Sequence, residues 1–94
     1  MIKEINMKYS EWTLGLILKT VYENAPSNEK SLMIRLFGIK FGRTIKENRM
    51  SIPTIIKCSG LSPSYQAEVN KGIGLSKYVQ MKPDKDIFEN IEVE

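Results

Sequence analysis

The sequence predicts a mainly α-helical domain that closes on a small β-hairpin. Three observations predict it. Apolar residues recur three and four apart through most of the chain, which is the helical period. Serines and a glycine stand where helices of that period would start and stop. After residue 76 the period falls to two, on both sides of Pro83-Asp84. With 94 residues, 41% of them apolar and 27% charged, the chain can bury one core, so residues 1–94 are read as a single domain.

Residues 1–9 alternate, with Ile5, Met7 and Tyr9 on one side and Asn6 and Lys8 on the other, which suits an arm or a short strand. Ser10 and Glu11 then start a helix over 10–24, a capping hydroxyl followed by a carboxylate in the first turn. Trp12, Leu14, Leu16, Ile17, Leu18, Val21 and Tyr22 occupy more than half of its circumference, so two faces must be buried. One face meets the domain core. The other packs either on the long second helix or on another copy, and the breadth of the stripe favours a homodimer through Trp12, Leu16, Ile17 and Val21. Asn24-Ala25-Pro26 ends the helix.

Ser27-Asn28-Glu29 opens a long helix over 28–48, with Leu32, Met33, Leu36, Phe37, Phe41 and Ile45 as its buried stripe. Gly38 and Gly42 each cost about 1 kcal/mol relative to alanine inside a helix. Four apart, they share a face and either admit another helix at close range or break this one in two. A continuous or kinked helix is expected.

The next stretch, residues 51–72, reads SIPTIIKCSGLSPSYQAEVNKG. Ser51 caps a short helix that tolerates Pro53 in its first turn, where a missing N–H loses no partner. Ile52, Ile55 and Ile56 form its apolar face, and Gly60 stands just past its end, where a left-handed residue is wanted. Leu61 follows as a plug, and Ser62 caps a second helix with Pro63 in its first turn and Tyr65, Val69 and Ile73 facing in. This succession resembles the helix-turn-helix of DNA-binding proteins, and GLSPSY with the closing NKG is especially similar to the phage-repressor type. Ile56 stands where that motif usually has a small residue, and Ser59 where it is usually apolar.

Residues 77–93 decide between versions of the motif. Val79 and Met81 alternate with Tyr78, Gln80 and Lys82; beyond Pro83-Asp84, Ile87, Ile91 and Val93 alternate with Asn90, Glu92 and Glu94. Two such runs around a turn predict a hairpin, so the whole resembles a winged helix-turn-helix with an extra N-terminal helix and residues 77–93 as the wing. The alternative is a helix from Leu75 to Met81 followed by an acidic tail.

The resemblance implies that the helix from Ser62 to about Ile73 enters the major groove of double-stranded DNA. Ser62, Ser64, Ala67, Glu68 and Lys71 point outward if Tyr65 and Val69 point in. The candidate base contacts are Ser62, Ser64, Gln66, Glu68 and Lys71. Glu68 can accept from a cytosine amino group or pair with Lys71 one turn on. Candidate phosphate contacts are Arg43, Lys46, Arg49, Lys57, Lys77, Lys82 and Lys85, the last at the wing tip.

The charge distribution agrees with a polyanion partner. The formal net charge is only +3, but residues 30–82 carry ten bases against Glu47 and Glu68, a net of +8, while residues 83–94 carry one base against five acids. The other reading of the basic segment is a solvated lysine-rich face.

Much chemistry is excluded. One cysteine and no histidine leave no intramolecular disulfide, no zinc site of the Cys/His type and no histidine-based catalytic arrangement. Cys58 is read as a structural thiol. No enzyme activity, cofactor or small-molecule ligand is expected. The longest apolar run, Leu14 to Leu18 counting Gly15, is far short of the roughly 20 residues that cross a bilayer, and MIKEINMKYS has no signal-peptide pattern, so a cytoplasmic protein off the membrane is expected. The expected function is a sequence-specific DNA-binding protein, a dimeric transcription regulator of the kind a mobile element encodes. The alternatives are a plasmid partition or replication site-binding protein, and a protein-interaction module that does not bind DNA.

Overall fold

Ser10 opens the first helix, its hydroxyl accepting the Thr13 N–H at 3.0 Å, and α1 runs Glu11–Asn24. The structure is a computed structural model that describes residues 9–89 and 91. Except for Tyr9, the arm expected over residues 1–9 lies outside the described residues. The end of α1 is closed by a cation: the Lys30 ammonium donates to the carbonyls of Tyr22 (2.7 Å) and Ala25 (3.1 Å) and lies 4.7 Å from the centre of the Tyr22 ring.

A 3-10 turn, Ser27–Glu29, leads into α2, Lys30–Glu47, which is continuous through both of its glycines. It ends in a Schellman motif. Met50 N–H bonds the Ile45 carbonyl at 2.9 Å and Arg49 N–H the Lys46 carbonyl at 3.2 Å, with Arg49 in the left-handed region at φ 53°. Then α3, Ile52–Ser59, begins on Ser51, whose hydroxyl accepts the Thr54 N–H and whose own N–H donates to the Glu11 carboxylate at 2.5 Å, tying the starts of α1 and α3. Gly60 takes φ 77° at its end. Ser59, buried in an apolar setting, keeps its hydroxyl satisfied by donating to Ile56 O and accepting from Leu61 N–H. A second 3-10 turn, Pro63–Tyr65, leads into α4, Gln66–Leu75.

The core joins Leu14, Ile17, Leu18 and Val21 of α1 to Ile34, Phe37, Phe41 and Ile45 of α2, Ile55 and Ile56 of α3, and Val69 and Ile73 of α4. Leu32, expected on the buried stripe of α2, is exposed, and Ile34 is buried in its stead. The broad stripe of α1 is covered within one chain, by α3 on one side and α2 on the other. Ile17 and Val21, expected at a dimer interface, are therefore core residues; Leu16 is half-buried, and Trp12, 58% exposed, is the most open of that set. Cys58 packs where α3 faces Gly15 of α1.

The closest approach is between α2 and α4. A Cβ on Gly38 would stand 2.9 Å from Gly72 Cα, and one on Gly72 would stand 2.8 Å from Gly38 Cα and collide with the Arg35 carbonyl oxygen. Gly72 thus lies inside a helix at a crossing and does not close the helix-turn-helix.

The expected hairpin and wing are absent: the fold is all-α, with no strand among the described residues. The N–H groups of Tyr78 and Val79 bond Leu75 O at 2.8 and 3.0 Å, continuing the turn of α4 where the first strand was expected. A 3-10 turn, Pro83–Lys85, comes next, and beyond it the alternation is overridden by one anchor. Phe88, 5% exposed, packs edge-on against Phe41 with ring centres 5.6 Å apart, while Ile87 is 44% exposed. Asp86 fixes this turn by accepting the Phe88 N–H at 3.0 Å and the Lys40 ammonium at 2.6 Å, and Glu89 takes the same ammonium at 2.9 Å. The segment is docked on α2 by side chains, so it needs no ladder of paired strands. Asn90 and residues 92–94, including Val93, lie outside the described residues.

Two substitutions at glycines and two in the C-terminal segment test this packing. Gly72→Ala should destabilise by about 1–3 kcal/mol in urea or thermal unfolding, since backbone atoms of α2 block the added methyl, whereas Gly74→Ala, facing open space, should stabilise by about 1 kcal/mol. Phe88→Ala should cost about 3 kcal/mol and Ile87→Ala less than about 0.5 kcal/mol; equal effects would favour the alternating strand.

Candidate nucleic-acid interface

Three ties to the rest of the chain hold α4. At its start, the hydroxyls of Tyr65 and Tyr22 share a hydrogen bond of 2.9 Å with their rings edge-on, and this bond, helped by desolvation, raises the Tyr65 phenol above its ordinary pKa. One turn on, Arg35 of α2 donates from Nε (3.1 Å) and Nη2 (2.8 Å) to the same oxygen of Glu68. The third is the Gly38 and Gly72 crossing.

These ties sort the side chains of α4. Glu68, expected as a base contact, is turned toward α2 and held by Arg35, with Lys71 a more distant partner at 3.7 Å. The Arg35 hydrogen bond lowers its carboxyl pKa, against a smaller opposing effect of desolvation. Gln66 is half-buried. Ser62 is exposed, but its hydroxyl caps the helix by accepting the Ser64 N–H at 3.2 Å and also meets the Ser64 hydroxyl at 2.9 Å. Ser64, Ala67, Asn70, Lys71 and Gly74 line the exposed face.

Asn70 is an addition. Its amide forms no hydrogen bond among the described residues, and asparagine is suited to bidentate contact with adenine. Its phase was available in the sequence, since 67, 70, 71 and 74 follow the steps of one helical face. The helix expected from Ser62 to about Ile73 contains Asn70, but that expectation sets Glu68 on the outward face and not Asn70.

The bases of the +8 segment divide in two. Lys30, Arg35 and Lys40 have work inside the fold: Lys30 closes α1, Arg35 holds Glu68, and Lys40 binds Asp86 and Glu89. Partial burial is the largest influence on the Lys40 ammonium and lowers its pKa, but its two carboxylate partners together outweigh that and raise it. Arg43, Lys46, Arg49, Lys57, Lys71, Lys77 and Lys82 are exposed, as is Lys85 in the acidic segment. Arg43, Lys46 and Lys77 are brought together from α2 and the end of α4, lining a shallow depression of about 280 Å³ with Glu47 and Ser76. The Glu47 carboxylate is a loose partner, 3.8 Å from Arg43 with both side chains exposed.

No helix among the described residues is long and apolar enough to cross a membrane. A family model described as "HTH-like domain" matches residues 10–82, from the cap of α1 to beyond the end of α4. The chain has no match among curated proteins or among solved structures.

The ion pair of Arg35 and Glu68 sets a pH dependence with a definite sign. Because the folded pKa of Glu68 is depressed, its contribution to stability is complete above the ordinary carboxyl range and is lost as pH falls through the folded value. Arg35→Ala should return the Glu68 carboxyl upward in a carboxyl-carbon NMR titration and flatten the acid limb of the stability curve.

Proposed function

The chain belongs to the HTH-like domain family, and we propose that it is a sequence-specific double-stranded DNA-binding regulator that reads the major groove with α4. The observation that carries this reading is the division of charge: cations needed by the fold are paired, and of those left exposed three gather beside the end of α4.

In this reading Ser64, Asn70 and Lys71 reach base edges, and the Ala67 methyl meets a thymine methyl. Arg43, Lys46 and Lys77 bind one stretch of phosphates from their shared depression, with Arg49, Lys57 and Lys82 adding contacts from neighbouring elements. Lys85 contributes less, because Asp84 and Asp86 flank it. Glu68 acts through position: gripping Arg35, it fixes the rotation of α4 and so the residues that face the groove.

Selection of bound duplexes from a random pool, followed by fluorescence anisotropy on the winner, tests the proposal. Ser64→Ala with Lys71→Ala should flatten the sequence preference, each lost base contact being worth about 1–3 kcal/mol. Replacing Arg43, Lys46 and Lys77 by alanine should weaken all sequences alike and lower the slope of log K against log salt by about 2–3. A native chain that retains no duplex at low salt would falsify the reading.

A further inference from the structure

The turn after α4 carries an apolar group that the core does not use. Leu75, Tyr78 and Val79 are exposed by 41%, 79% and 48%. Both backbone N–H groups of Tyr78 and Val79 bond Leu75 O, so the three side chains ride on a fixed turn. Leu75 and Tyr78 fall four and seven positions after Lys71, on the outward face of α4 as it is prolonged. Cations stand around them. The Lys77 ammonium is 5.9 Å from the centre of the Tyr78 ring. Val79 shares a depression of about 210 Å³ with Arg43, Ser76 and Lys40, the last already held by Asp86 and Glu89, and Arg43 and Ser76 also line the one that holds Lys46 and Lys77.

Three partly exposed side chains fall well short of the roughly 800 Å² that a stable protein partner covers on each side. Their cationic frame is complementary to a polyanion. A duplex offers apolar surface for an aromatic ring at the faces of its bases, which open where a step is unstacked. We propose that Tyr78, backed by Leu75 and Val79, inserts at a base step beside the segment read by α4 and bends the duplex there, while Arg43, Lys46 and Lys77 hold the adjoining phosphates. This rests on the assignment of α4 as the reading helix. It selects a class of sequence, the flexible pyrimidine-purine steps that unstack most easily, at a position with no hydrogen-bonded readout.

The test uses the full chain and its selected duplex, with 2-aminopurine placed in turn at each flanking step and a donor and acceptor dye on the two ends. The native chain should brighten 2-aminopurine at one flanking step and shorten the end-to-end distance. Tyr78→Ala should abolish both effects and weaken binding about tenfold, yet leave the salt slope unchanged, because no phosphate contact is lost. Tyr78→Phe should behave as native. Since Tyr78 lies on the surface, circular dichroism of Tyr78→Ala should match native. The insertion is overturned if Tyr78→Ala binds, brightens and bends like the native chain, or if the only property that depends on Tyr78 is association with protein. A native chain that binds no duplex overturns the insertion and the α4 assignment together.

Discussion

The crossing of α2 and α4 at Gly38 and Gly72 is the constraint on which the arrangement of the exposed surface depends. With no side chain on either residue, the two backbones meet almost directly. The flanking contacts keep the same order along both helices: Arg35 reaches Glu68 on one side of the crossing, and Gly42 faces Ser76 on the other. The helices therefore run in the same sense past each other, and α4 is fixed in rotation as well as position. A side chain at the crossing would push α4 outward and draw Glu68 away from Arg35. It would also turn Ser64, Asn70 and Lys71 by an amount no surface contact could restore. A recognition face needs a rigid support of this kind, because base edges are read within fractions of an ångström.

What the sequence made legible depends on the range of the forces involved. Ser10, Ser51 and Gly60 act on backbone groups within four residues, so their roles can be read from neighbours alone. The spacing of Gly38 and Gly42 pointed to close approach, but which helix would approach is a long-range fact. The stripe of α1 was legible as broad, whereas its partners were not, and the structure fills it with α3 and α2 of the same chain. The C-terminal segment misled because alternation over a few residues is a weak signal beside one buried ring. Phe88 finds Phe37 and Phe41, half the chain away, and Asp86 finds Lys40. Neither pairing leaves a local trace.

The same contacts explain why a formal charge of +3 says little about the surface. Asp86 and Glu89 of the acidic segment are used on Lys40, at the middle of α2, and Glu68 is used on Arg35. Both occupy cations of the basic segment and leave Arg43, Lys46 and Lys77 facing solvent. Asp86, Glu89 and Glu68 are thereby committed to partners within the fold, while Glu47 stays beside Arg43 in the depression. Coulomb attraction for a polyanion depends on where the unpaired charges stand and not only on their sum.

Two positions break local rules, one with a return inside the chain and one without. Gly74 lies in a helix where a Cβ would meet nothing, although alanine there would favour the helix by about 1 kcal/mol. Arg49 takes the left-handed backbone that glycine adopts freely, at a cost of order 1 kcal/mol, to end α2 with a cation beside its terminal carbonyls. Sequences depart from such local rules mainly where something other than stability is being selected. Gly74 keeps the outward face of α4 low between Lys71 and Tyr78. Arg49 adds charge where glycine would take the left-handed backbone more easily. Arg49 thus both closes α2 and adds charge, whereas the absent side chain at Gly74 has no use in the isolated fold.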